Sequence, residues 1–321
     1  MKRILVTGCA GFIGSHTTEL LLKKGYSVIG IDNFSSFYSR EVKEQNLSRF
    51  IEHSNFSFFE LDIRDKEKIH ATLTEKVDLV VHLAAKAGVR PSINYPEKYI
   101  DVNLKGTQHM LDWMRKVGCK KMFFASSSSV YGNNKTGEPL QEEEYDVKPI
   151  SPYAFTKRAA ELMNHAYHHL YKMDIINARF FTVYGPRQRP DLAIHKFVKL
   201  IANNQPIEMY GDGSTARDYT FVEDTVQGIL NGVEYLFNHE NVYETINLGN
   251  RNPLKLKTLI AMIYDVMGVK PNVEQREMQD GDVNITYANI DKAVDLLNYS
   301  PSITMEEGLK KFVEWYRQHQ A

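Results

Sequence analysis

RILVTGCAGFIG, residues 3–14, decides the fold: an apolar, strand-like run ends at Gly8, and glycines recur at 11 and 14 as an apolar-periodic stretch begins. A strand–turn–helix of this kind needs glycine three times. One lets the chain turn, one lets backbone amides approach a pyrophosphate, and one lets helix and strand pack closely. The helix opening there presents unpaired N–H groups and a partial positive charge. Gly8, Gly11, Phe12, Ile13 and Gly14 are therefore expected to hold a dinucleotide.

Working outward, YSVIGID (26–32), FSFFELD (56–62), DLVVHLA (78–84), KKMFFAS (120–126) and DIINARF (174–180) are short runs, apolar on both faces. That composition suits parallel strands covered on both sides. Helical patterns separate them at 13–24, 39–52, 66–75, 97–117 and 152–172. Strand alternating with helix predicts an α/β chain built on a doubly wound parallel sheet, a Rossmann domain over residues 1–181. After that the pattern loosens, and 182–321 reads as a smaller α+β substrate-binding region, with the part near 220–250 packing back on the first domain.

The balance of 39 Lys+Arg against 40 Asp+Glu leaves a formal net charge of −1, with neither a nucleic-acid footprint nor a polybasic membrane anchor. No run approaches the roughly 20 apolar residues that span a bilayer. The opening run is too short for a signal-peptide core. Two cysteines, Cys9 and Cys119, build no disulfide framework, so a cytoplasmic location is expected and both read as packing residues. The acidic run Glu142-Glu143-Glu144 reads as a solvated loop face.

Asp32, followed by Asn33, ends the second strand. An acid there accepts adenosine ribose hydroxyls and repels the extra phosphate of NADP, so NAD is the expected cofactor. The alternative is an acid that caps the following loop. Asp62 and Ile63 end the third strand, where the adenine edge would lie. Farther on, SPYAFTK puts Tyr153 and Lys157 four residues apart on one helical face, with Pro152 starting the helix. A phenol ionises near 10 and serves as a base at neutral pH only beside a cation. Lys157, with the nicotinamide's own charge, supplies one.

With these pieces in place the sequence resembles the extended short-chain dehydrogenase/reductase family, and within it the nucleotide-sugar 4-epimerases. The resemblance runs nearly end to end: GxxGxxG at 8–14, Asp32, HLAAKAGVRPS (82–92), Asn103, SSSSVYG (126–132), YAFTK (153–157), RFFTVYGP (179–186) and RDYTFVEDT (217–225). It implies a tightly held NAD, a C-terminal UDP-sugar cap and a homodimer through helices 97–117 and 152–172. The histidines at 165, 168 and 169 lie on the second of these, and no metal site is expected.

The resemblance places the catalytic hydroxyl at Ser127, with Tyr153 and Lys157. Related dehydratases carry Asp-Glu at the next two positions, because eliminating water needs an acid and a base. UDP-xylose-forming decarboxylases carry Glu before the Val. Here both positions are serine, Ser128 and Ser129. Neutral hydroxyls donate to a carboxylate without repelling it. The combination with Thr182, Arg187 and Arg189 looks most like the UDP-glucuronate 4-epimerases. The substrate contacts it implies are Ser127, Ser128, Ser129, Thr182, Arg189, Arg217, Gln279 and Asp282. Open alternatives are a polar strand end in which Ser127 alone functions, a solvated turn or phosphate contact for Arg187 and Arg189, UDP-glucose or UDP-N-acetylglucosamine as substrate, and decarboxylation of UDP-glucuronate in place of epimerisation. Lys86 and Arg90 fall near the cofactor–sugar boundary.

Overall fold

The computed structural model describes residues 1–134, 136–144, 147–277 and 285–319. Six strands follow the sequence expectation: β1 (Arg3–Thr7), β2 (Ser27–Asp32), β3 (Phe56–Glu60), β4 (Leu79–His82), β5 (Lys121–Ser127) and β6 (Asp174–Phe180). A seventh, Tyr243–Leu248, comes from the C-terminal half and pairs in parallel with β6. The order across the sheet is Tyr243–Leu248, β6, β5, β4, β1, β2, β3, all parallel. The order reverses between β1 and β4, and ligands of such sheets bind at the strand ends beside that point. Both faces are covered, which is why β6 is buried along its whole length.

Helix α1 (Phe12–Lys23) covers one face together with Val222–Asn238, which crosses back from the C-terminal half. The other face carries Gly106–Val117 and Pro152–Tyr171. The predicted helix 97–117 is made of Pro96–Ile100, a π-helical turn Asp101–Lys105 and Gly106–Val117. Such turns arise where a side chain must be re-aimed, often at functional sites. Here the side chain is Asn103, buried and bonded to the Lys86 N–H (2.8 Å), the Lys86 carbonyl (3.0 Å) and Thr156 Oγ1 (3.0 Å).

The remaining strands form small sheets beyond the strand ends, with Ala216–Phe221 between Thr182–Tyr184, Pro253–Lys255 and Ile285–Thr286. One expectation is corrected: Glu142 is not a solvated face. It is buried and accepts the Asn247 N–H at 2.7 Å, because that N–H belongs to the edge strand of the main sheet and needs an acceptor. No described helix is long and apolar enough to cross a membrane.

Candidate active site

A cleft of about 740 Å³ opens along the carboxyl ends of β1, β2, β4 and β5. Its floor is the glycine turn. Gly8 has φ +74°, and its N–H donates to the Ile31 carbonyl at 2.7 Å. A Cβ on Gly14 would stand 2.0 Å from the Gly8 carbonyl oxygen, so helix and strand meet there only without a side chain. Gly11 lines the cleft and precedes α1, whose first turn has neither a side-chain cap nor an acid. The N–H groups of Gly8, Cys9 and Gly11 are bonded within the turn, so it is the first turn of α1, at Phe12, Ile13 and Gly14, that offers donors to the cleft, a fit for a pyrophosphate.

Thr7 ties β1 to β4 at the reversal point. Its hydroxyl accepts from the Leu83 and Ala84 N–H groups (3.1 and 3.0 Å) and lies 2.8 Å from His82 Nδ1. Burial, helped by the charge of Lys157, pulls the His82 imidazole down to about 3, so it stays neutral. At the other end of the cleft, Asp32 Oδ1 accepts from the Phe34 N–H (2.8 Å) and from Lys43 Nζ (3.3 Å), all buried. Asp32 therefore caps its loop and lines the cleft at once; the two readings are not exclusive. Asn33 donates to Asp62 (2.8 Å), and Arg64 holds Asp62 down to about 2 against the effect of burial. Ile63 lines the cleft beside them. Sequence reasoning missed Lys43, which sits in a charged helix with no motif to mark it.

The serine row is divided by the alternation of a strand. Met122, Phe124 and Ser126 face the Pro152–Tyr171 helix, where Ser126 Oγ donates to Glu161 Oε1 at 2.5 Å. Ser127 ends β5 and turns toward the cleft. Its oxygen accepts from the Ser129 N–H at 3.2 Å and opens a single 3-10 turn, Ser128–Tyr131, that brings Ser128 and Ser129 to the same cleft wall. Thr182 lines it from the neighbouring strand Thr182–Tyr184.

Tyr153 and Lys157 reach the cleft from a helix started by Pro152 and capped by Ser151, whose hydroxyl accepts the Ala154 N–H (3.2 Å). Burial pulls the Lys157 ammonium down to about 8, although the Glu161 carboxylate opposes this; Nζ donates to the Ala125 carbonyl at 2.6 Å. Burial raises the Tyr153 phenol, while the Ser127 hydroxyl and the charge of Arg189 pull it back. In the protein alone, Lys157 loses its proton before the phenol does. The cation acting on the phenol over that range is thus Arg189.

Arg189 lines the cleft with its fork held by Asp191 (2.9 and 2.8 Å) and Phe37 under its guanidinium, 5.1 Å to the ring centroid. Arg187 is elsewhere. Its guanidinium is buried against Glu19 of α1 (2.6 Å), neither a solvated turn nor a phosphate contact. Arg217, Lys86 and Arg90 line the cleft; Gln279 and Asp282 lie outside the described residues. Phe37 and Tyr38 also line it, from a loop whose composition carried no signal.

A family model described as GDP-mannose 4,6 dehydratase matches residues 5–312. The chain belongs to this family, a branch of the extended short-chain dehydrogenase/reductases. Within it, the chain is 41% identical over 321 residues to the UDP-glucuronate 4-epimerase of Thermodesulfobacterium geofontis, covering 99% of this chain and 97% of that one. Its structure matches that of the UDP-glucuronic acid 4-epimerase from Bacillus cereus in complex with UDP-glucuronic acid and NAD, with TM-score 0.90, 34% identity, and coverage of 98% and 99%. The UDP-glucose 4-epimerase of Thermotoga maritima, solved with UDP-glucose, matches with TM-score 0.90, 31% identity, and coverage of 99% and 100%.

Proposed function

We propose that this chain is an NAD-dependent UDP-sugar 4-epimerase that converts UDP-glucuronate to UDP-galacturonate. The observation that carries the reading is the composition of the cleft. Ser127, Ser128, Ser129 and Thr182 bring four hydroxyls to the space lined by Tyr153 and Lys157, and the one acid among the described lining residues, Asp32, stands three strands away. Four lysines and four arginines line the same cleft, in a chain whose net charge is −1. Local charge of that sign and size suits two anionic ligands, a dinucleotide and a nucleotide uronate. A dehydratase would need an acid and a base beside the sugar, and this wall has neither.

The residues present fit NAD. The first turn of α1 suits the pyrophosphate, Asp32 with Asn33 and Lys43 the adenosine ribose, Ile63 the adenine edge, and Tyr153 with Lys157 the nicotinamide ribose; Asp62 does not line the cleft and acts behind it by holding Asn33 and Arg64. When bound, NAD supplies the acceptor, and later the donor, of the C4 hydride. Tyr153 takes the proton of the sugar's O4 through Ser127 and returns it after the sugar has presented its other face. Arg189 favours the ionised phenol, joined by Lys157 at pH values where its ammonium is charged. Ser127, Ser128, Ser129 and Thr182 donate to the uronate carboxylate, with Arg189 beside them. While C4 is a ketone the sugar is a β-keto acid, and it loses carbon dioxide only if the carboxylate bond aligns with the carbonyl π system; the hydroxyls hold it out of alignment. Arg217, Gln279 and Asp282 are assigned to the nucleotide's diphosphate and ribose.

Residues 1–181 form the cofactor half in this reading and 182–321 the substrate half, with 222–248 returned to the first. The enzyme is a cytoplasmic homodimer. Phe155, Leu162 and Leu170, exposed by 49%, 57% and 64%, make one apolar stripe along the Pro152–Tyr171 helix, as a bundle with a second copy requires. Both cysteines are buried free thiols, in keeping with a reducing compartment. The test is to incubate purified protein with UDP-glucuronate, without added cofactor, and follow products by proton NMR. UDP-galacturonate is expected. UDP-pentose as the main product would make it a decarboxylase, and turnover of UDP-glucose or UDP-N-acetylglucosamine alone would refute the uronate.

A further inference from the structure

The Pro152–Tyr171 helix carries Tyr153, Lys157 and Glu161 at four-residue intervals, a row along one face. Opposite it, β5 ends in Ala125, Ser126 and Ser127. Two successive bonds join row to strand: Lys157 Nζ to the Ala125 carbonyl at 2.6 Å, and Ser126 Oγ to Glu161 Oε1 at 2.5 Å. Tyr153 is the next member of the helix row toward its N-terminus, and Ser127 is the residue that follows Ser126 on the strand. We infer that Glu161 and Ser126 are positioning residues, which set the approach of Ser127 to Tyr153 for the proton-transfer step. The inference rests on the epimerase reading above.

Glu161 is built as an anchor. It is fully buried, and its two oxygens also accept Arg179 Nε (3.0 Å), Arg179 Nη2 (2.9 Å) and Arg158 Nη1 (2.9 Å). Arg179 is the residue of β6 in register with Ser126, so the same pair fixes β5 against its neighbour. Its guanidinium in turn lies 4.6 Å from the ring centroid of Tyr131, which closes the serine turn. A carboxylate held by three charged bonds moves little, and a short charge-assisted bond passes that fixity to Ser126. Ser127 is one peptide away. Burying a charge cluster costs stability that an apolar core would not, and specification of one geometry is a function that offsets it. Glu161 does not line the cleft, and Ser126, which does, has its hydroxyl turned to Glu161, so the effect is on placement.

Ser126→Ala removes one hydroxyl and leaves the Glu161–Arg179 pair intact; Ser126→Thr keeps the hydroxyl on a strand-compatible side chain. With NAD-loaded protein and UDP-glucuronate, Ser126→Ala is expected to lower kcat by about ten-fold at unchanged KM, since small misplacements of reacting groups are costly. Its NAD content should match wild type and it should stay folded at the assay temperature, with a modest fall in melting temperature from the lost bond to a buried carboxylate, and Ser126→Thr should recover kcat. A kcat within two-fold of wild type, or a fall that tracks lost NAD, would overturn the inference. A second readout needs no turnover: ultraviolet titration of the Tyr153 phenol, taken as the difference from Tyr153→Phe. With Ser127 displaced its hydrogen bond weakens, and the phenol should titrate higher in Ser126→Ala by about half a pH unit. An unmoved titration refutes the positioning role even if the wild type turns over no UDP-sugar, an outcome that would separately refute the epimerase.

Discussion

At the scale of single residues, the site is a problem in proton affinity. A buried phenol and a buried ammonium four residues apart each resist their charged form. Tyr153→Phe removes the acceptor of the O4 proton without altering the cleft's shape. It should lower kcat by about a thousand-fold while UDP-glucuronate and NAD still bind, as titration calorimetry would record. Lys157 gives a pH dependence of definite sign. With its ammonium drawn down to about 8, it is charged below that pH and neutral above it. Activity should therefore fall as pH rises through about 8, read in the pH profile of kcat/KM, which reports the enzyme before substrate binds. Thr182→Ala or Ser128→Ala should raise the UDP-pentose share of the products; an unchanged ratio would sink the hydroxyl cradle. Tyr153 and Lys157 were legible because spacing and residue type mark them, whereas Ser128 and Thr182 were singled out by the family resemblance. That Ser126, at the same cleft wall as Ser127, commits its hydroxyl to Glu161 was not legible, because it depends on which face of β5 meets the helix.

At the scale of elements, the glycine turn was legible as a whole because each glycine answers a separate steric demand. Gly14→Ala is the strictest test. Its Cβ would meet a backbone oxygen at 2.0 Å, which no rotamer relieves, so α1 must move away from β1. The variant should lose bound NAD, seen as loss of the cofactor's absorbance after gel filtration. Ser151→Ala should cost about 1 kcal/mol by removing the cap of the catalytic helix, measured by denaturant unfolding. The π-helical turn at Asp101–Lys105 left no sequence signal. It follows from three bonds made by Asn103, to Lys86 and Thr156, residues distant in sequence.

At the scale of the molecule, the C-terminal half is joined to the cofactor half by strand Tyr243–Leu248 and by the ion pair of buried Arg187 with half-buried Glu19. Burial alone would raise the Glu19 carboxyl, but Arg187, with Arg49 and Lys23, holds it at about 2, below its ordinary 4.5. A carboxyl so depressed contributes stability that is fully present above about 4.5 and lost as pH falls toward 2. Arg187→Met should cost about 2 kcal/mol at pH 7 and less as the solution is acidified below 4, by denaturant midpoints. Leu162→Glu should convert the proposed dimer to monomers in analytical ultracentrifugation. The sequence by itself determined the parallel sheet, the glycine turn and the Tyr153–Lys157 row, since local periodicity and spacing encode them. Only the tertiary structure decided that Glu142 is buried, that Arg187 ties the halves while Arg189 faces the phenol, and that Lys43 stands against Asp32. Those depend on where separate elements meet, and a charged side chain's partner across the fold leaves no pattern along the chain.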